Sequence, residues 1–134
     1  MKLCMIGTGY VGLVSGTCFA DIGHTVYCVD INKDIISKLN SGKSPIYEPG
    51  LNELIKKNHK SKRLFFTSNI SEALMKSDII FICVGTPSKK NSTSVDLSFV
   101  FKAVKEILNI QKRKKLLLPN QLYPLEQEIK SKKY

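Results

Sequence analysis

A short apolar run, Lys2-Leu3-Cys4-Met5-Ile6, stops at Gly7, and within four residues the apolar positions take up helical spacing. The joint between them reads Gly7-Thr8-Gly9-Tyr10-Val11-Gly12, the pattern G-x-G-x-x-G. Val11, Val14, Cys18, Phe19 and Ile22 continue on one helical face, and Gly23 supplies a stop. A strand that turns into a helix in this way commits the next strand to lie parallel to it. Each glycine has its own task. Gly7 permits the tight turn, Gly9 lets backbone approach a diphosphate, and Gly12 allows close helix packing. The leading amides of the helix and its positive dipole end then face the phosphates.

The rest of the chain repeats the alternation. His24–Val29 reads as a second strand ending at Asp30, and Asn32 or Asp34 can cap a short helix carrying Ile35, Ile36 and Leu39. The turn-rich connector Ser44-Pro45-Ile46-Tyr47-Glu48-Pro49-Gly50 leads into a helix with Leu51, Leu54 and Ile55. Leu64–Thr67 is a third strand, and Asn69 with Glu72 fits a capping box before Ala73 and Leu74. Ile79–Val84 is the most apolar strand, closed by Gly85-Thr86-Pro87. Asp96 can cap a last helix with Leu97, Val100, Phe101, Val104, Ile107 and Leu108 on one stripe, ending near Leu108. Strands that are apolar runs, alternating with helices, predict an α/β fold with a doubly wound parallel sheet of Rossmann type. The expected core is Leu3, Met5, Ile6, Val14, Phe19, Val26, Cys28, Ile80, Ile82, Val84, Val100 and Val104.

Asp30 lies 18 residues beyond Gly12, at the end of the second strand. A carboxylate there can accept hydrogen bonds from both adenosine ribose hydroxyls and repel a 2′-phosphate, which favours NAD over NADP. The alternative is a plain turn or cap residue. Lys33 is close enough in sequence to reach the same ribose or a phosphate, and a solvated surface lysine is the competing reading.

Composition excludes several classes. With 43% hydrophobic residues the chain can build a core. No apolar stretch approaches the roughly 20 residues of a membrane span. The N-terminus lacks a secretory pattern, so a cytoplasmic protein without membrane partners is expected. Cys4, Cys18, Cys28 and Cys83 form no C-x-x-C pair, and neither His is spaced with them as a metal ligand. The net charge of +10 divides evenly: residues 1–110 carry 14 basic and 9 acidic side chains, residues 111–134 carry 7 and 2. The basic tail lacks interleaved aromatics, so nucleic acid is not an expected partner.

Several strings carry a family resemblance. Gly7 to Ala20 reads Gly-Thr-Gly-Tyr-Val-Gly-Leu-Val-Ser-Gly-Thr-Cys-Phe-Ala, and residues 45–51 read Pro-Ile-Tyr-Glu-Pro-Gly-Leu. With Ser77-Asp78-Ile79-Ile80, Val84-Gly85-Thr86-Pro87 and Asp96-Leu97, these resemble the NAD-binding domain of the UDP-glucose/GDP-mannose dehydrogenase family, and within it the UDP-glucose 6-dehydrogenases. The resemblance covers Met1 to about Ile107. It implies a cytoplasmic oxidoreductase that turns the C6 hydroxyl of UDP-glucose into a carboxylate while reducing two NAD, in nucleotide-sugar metabolism feeding polysaccharide biosynthesis. The alternatives are a dehydrogenase of another nucleotide sugar, such as GDP-mannose or UDP-N-acetylmannosamine, and a non-enzymatic NAD-binding fragment or decayed gene product. Full-length members are expected to form homo-oligomers. Carried onto this chain, the cofactor contacts fall on Tyr10 and Val11 beside Gly7, Gly9 and Gly12, on Asp30, and on Thr86. The family's basic residue five positions after the acid is replaced by Ile35, with Lys33 nearby.

Two departures from the family pattern stand out. The catalytic cysteine of the family, with its assisting lysine and asparagine, belongs to a later region, and neither Cys18 nor Cys83 matches it. No catalytic residue is therefore assigned, and turnover by this chain alone is not expected. The family's fifth strand and its Thr-Lys-Ser-Thr-Val-Pro-Val-Gly-Thr string are also replaced, by Leu116-Leu117-Leu118-Pro119-Asn120-Gln121-Leu122-Tyr123 and onward. One permitted codon choice for residues 116–128, read in a neighbouring frame, gives Ile-Val-Thr-Lys-Ser-Thr-Val-Pro-Val-Gly-Thr-Gly. The expectation is an NAD-binding domain over 1–108, incomplete at its fifth strand. Residues 109–134 are then a non-native basic tail read out of frame.

Overall fold

The computed structural model describes residues 1–88 and 95–117, with side chains to residue 111. Four parallel strands, β1 (Lys2–Ile6), β2 (Thr25–Val29), β3 (Leu64–Thr67) and β4 (Ile79–Ile82), stand in the order β3-β2-β1-β4. Five helices connect or follow them: α1 (Tyr10–Asp21), α2 (Lys33–Asn40), α3 (Leu51–Lys60), α4 (Ile70–Met75) and α5 (Ser98–Leu117). The Rossmann-type α/β fold expected from the alternating runs is present.

The register explains why the strands are apolar throughout. Alternate residues of one strand point to opposite faces, and both faces are covered. Leu3 and Met5 join Val26, Cys28, Leu64 and Phe66 under α1, α2 and α3, where Leu13, Ala20, Ile36, Leu39, Leu51 and Ile55 are buried. Cys4, Ile6 and Val29 face the other way, against Ala73 and Leu74 of α4 and Ala103 of α5. α1 packs closely on the sheet at Gly16, where an added Cβ would sit 2.9 Å from Cys28 Sγ and 3.1 Å from Met5 Cγ.

Local capping follows the sequence. Asn32 Oδ1 accepts from the N–H groups of Asp34 and Ile35 to start α2, and Asn69 accepts from the Glu72 N–H to start α4. The capping box at α4 is half made, because the Glu72 carboxylate pairs with Lys76 at 2.6 Å. Asp96 accepts from the Ser98 N–H at the start of α5.

Three expectations need correction. Ile82 is expected in the core but is 38% exposed: it lies at the end of β4, one of the two edge strands of the described sheet, and does not join either buried cluster. Val14, Phe19, Ile80, Val84, Val100 and Val104 are half-buried. Finally, α5 does not stop near Leu108 but runs to Leu117. Asn109 to Leu117 contains neither Gly nor Pro, so nothing local ends the helix before Pro119. The rest of the expected tail, from residue 118, lies outside the described residues.

Candidate functional site

Ligands of open parallel sheets bind beyond the carboxyl ends of the strands, where the strand order reverses. Here that point lies between β1 and β4, since the chain runs outward from β1 through β2 to β3 and then crosses to β4 on the other side. The glycine turn occupies it. Gly7 has φ +101° and its N–H donates to the Val29 carbonyl at 2.8 Å, tying the turn to the end of β2. A Cβ at Gly7 would stand 2.7 Å from the Cys83 carbonyl oxygen, so the turn is also pressed against the segment leaving β4. A Cβ at Gly12 would lie 1.9 Å from the Gly7 oxygen. Gly9 is different: it is exposed, and a Cβ there would meet nothing within 4 Å.

Gly9 is the N-cap of α1 and no side chain caps that end. The leading N–H groups of a helix have no partner within it, so they are turned toward whatever occupies the open side of Gly9. Tyr10 and Val11, on the first turn, are exposed there. Thr86 is exposed in the segment after β4, and parallel pairing places that segment at the same sheet end.

Asp30 stands beside the turn. Its Oδ2 accepts from both the N–H and the hydroxyl of Thr8, at 2.9 and 2.7 Å, and its Oδ1 accepts from the Asn32 N–H at 2.9 Å. Partial burial pushes its carboxyl up. The hydrogen bonds from the N–H of Asn32, from Thr8 and from the N–H of Ile31 outweigh this and hold it below the ordinary carboxylate range. A fixed anion thus sits next to a cluster of amide donors, the arrangement that reads an adenosine ribose and its diphosphate.

The structure therefore brings Gly7, Gly9, Tyr10, Val11, Gly12 and Asp30 together, with Thr86 at the same sheet end. Lys33 is exposed at the start of α2 and makes no ion pair among the described residues. Thr8 is the residue that sequence reasoning passed over. Its place between two motif glycines and its hydroxyl were the available signals, but the burial that gives them meaning is tertiary.

Burial pushes the Cys4 thiol up to about 12 and raises those of Cys28 and Cys83, while Cys18 lies exposed on α1. Among the described residues no three His, Cys, Asp or Glu side chains are grouped to hold a metal. Among the same residues, no helix is long and apolar enough to cross a membrane.

Comparison with known proteins agrees with this geometry. The sequence pattern described as UDP-glucose/GDP-mannose dehydrogenase family, NAD binding domain, matches residues 1–122. The UDP-glucose 6-dehydrogenase of Rhizobium meliloti is 53% identical over 107 residues, which is 80% of this chain and 24% of that protein. A crystal structure of a ternary complex of GDP-mannose dehydrogenase from Pseudomonas aeruginosa superposes with a TM-score of 0.77 at 43% identity, over 80% of this chain and 24% of that one. A UDP-glucose dehydrogenase from the archaeon Pyrobaculum islandicum gives a TM-score of 0.75 at 40% identity, over 79% and 24%. The chain spans about a quarter of the length of these relatives. Matched over most of its residues, the chain belongs to the UDP-glucose/GDP-mannose dehydrogenase family by way of its NAD-binding domain.

Proposed function

We propose that this chain supplies the NAD-binding part of a nucleotide-sugar 6-dehydrogenase, with UDP-glucose as the sugar nucleotide. One observation carries the reading. The uncapped amide end of α1 and the ionised Asp30 carboxylate converge at the point where the strand order reverses. In this role the leading N–H groups of α1 hold the diphosphate and Asp30 orients the adenosine ribose. The open side of Gly9 admits the phosphates to backbone contact, and Tyr10, Val11 and Thr86 border the dinucleotide. NAD, when bound, supplies the hydride acceptor for oxidation at C6. UDP-glucose is supported by the 53% and 54% identity to UDP-glucose 6-dehydrogenases of Rhizobium meliloti and Bacillus subtilis, while other UDP-glucose and GDP-mannose 6-dehydrogenases alike match at 42% to 43%.

The reading keeps residues 1–108 as the binding domain and 109–134 as a tail outside it, in a cytoplasmic enzyme whose full-length relatives act as homo-oligomers. No residue here fills the place of the nucleophile, so the chain by itself binds NAD without turning over UDP-glucose. Calorimetric titration of the purified chain with NAD is expected to show one site. Absorbance at 340 nm is expected to stay flat with NAD and either UDP-glucose or GDP-mannose. Absence of NAD binding would overturn the cofactor role, and NADH formation would overturn the division of labour.

A further inference from the structure

Thr8 has an unusual position for a residue of a ligand-binding turn. It is flanked by Gly7 and Gly9, yet it is 2% exposed and points away from the open side, across to the end of β2. Its hydroxyl and its N–H converge on a single oxygen, Oδ2 of Asp30, 22 residues further along the chain. A carboxylate oxygen has two lone-pair directions, so Thr8 fills Oδ2. The acceptor capacity left for a ribose hydroxyl lies on Oδ1, which the Asn32 N–H holds from the other side.

We propose that Thr8 is the positioning residue of the ribose site: its hydroxyl clamps the Asp30 carboxylate to the glycine turn and thereby sets the preference for NAD over NADP. The proposal rests on the cofactor reading above and adds a residue to it. Thr8 is too buried to touch the dinucleotide, so its effect passes through Asp30. A carboxylate repels a 2′-phosphate strongly only if it is held where that phosphate must sit. Without the hydroxyl, Asp30 keeps the backbone N–H groups of Thr8, Ile31 and Asn32 but loses the side-chain donor on Oδ2, and it then holds Oδ1 less firmly toward the ribose and blocks the phosphate less well. The clamp also joins the two parts of the site. The turn that holds the diphosphate and the acid that reads the ribose are tied by the Thr8 hydroxyl in addition to the backbone N–H groups of Gly7 and Thr8.

The test compares the whole chain with Thr8→Val, which keeps the shape and removes the hydroxyl, and with Thr8→Ser, which keeps the hydroxyl. NAD and NADP affinities are measured by calorimetry, and the Asp30 carboxyl is titrated by carbon-detected NMR. Losing a hydrogen bond to an ionised group predicts NAD binding weakened about tenfold in Thr8→Val, NADP changed less than about threefold, and Thr8→Ser close to wild type in both. The Asp30 titration should move to higher pH in Thr8→Val and stay in place in Thr8→Ser. An unchanged NAD-to-NADP ratio in Thr8→Val, or Thr8→Ser behaving like Thr8→Val, overturns the proposal. If the wild-type chain binds neither dinucleotide, the cofactor reading fails, and the titration alone then decides the clamp: a midpoint raised by Thr8→Val supports it, an unmoved one sinks it. Thr8→Ala takes the place of Thr8→Val if the latter does not fold.

Discussion

Gly9 and Gly12 stand three residues apart in one turn, yet a methyl group added to each meets opposite surroundings. At Gly12 it collides with the Gly7 carbonyl at 1.9 Å, which is backbone and cannot yield, whereas at Gly9 it projects into open space. Gly12→Ala should therefore lower stability by about 3 kcal/mol or more, as overpacking against fixed atoms does. Gly9→Ala should leave stability within about 1 kcal/mol of wild type, the scale of an N-cap change, and weaken NAD about tenfold or more. Urea unfolding and calorimetry separate the two; equal stability losses would show that the turn does not divide its glycines this way. These tasks were legible in the sequence because a turn's geometry is local and spacing encodes it. Asp30 was legible for the same reason, at its distance from Gly12. The Thr8 hydrogen bonds were not, since no local period says which side chains meet across 22 residues.

At the scale of elements, caps were readable and partners were not. Asn32 was one of two candidates for the start of α2, and it alone makes the cap, with two N–H groups on its Oδ1. Asn32→Ala should cost about 1 kcal/mol of unfolding free energy, measured by denaturant titration. It also tests the site, since the backbone N–H of residue 32 still reaches Asp30 and NAD affinity should change little. The strands of the sheet were found from their apolar runs, but β4 shows the limit of that signal. Apolarity says that a strand can be buried; it does not say what covers it. Both edge strands pair with one neighbour, but Leu64 and Phe66 of β3 are covered by the helices, whereas Ile79 and Ile82 of β4 join neither buried cluster and stay exposed. The length of α5 escaped for a different reason. The apolar stripe fades after Leu108, yet good helix formers carry the backbone on to Leu117.

For the whole molecule, the exposed large apolar side chains include several on α5 and on the edge strand β4. Phe99 and Phe101 on α5 are 51% and 62% exposed, and Leu97 and, on the edge strand β4, Ile79 and Ile82 are exposed as well. An open strand edge together with exposed aromatics invites association. Sedimentation velocity is expected to show a weight-average mass that rises with concentration. Phe101→Lys should suppress the rise while changing the melting temperature by less than about 2 °C, as surface substitutions do. A monomer at all concentrations would contradict this. The placement of β1 has a consequence for how the molecule comes into being. β1 lies inside the sheet between β2 and β4, and its N-terminal backbone bonds to Asp78, 76 residues away. The link from Thr8 to Asp30 spans only 22 residues, so it can form while most of the chain is still being synthesised. The wall that Cys83 gives the turn arrives much later, and pairings so distant in sequence are slow to form. The two sides of the cofactor cradle are thus born at different times. On the function proposed above, a nascent chain would carry its ribose acid early but gain the Cys83 wall behind the diphosphate turn only after the ribosome has passed residue 83.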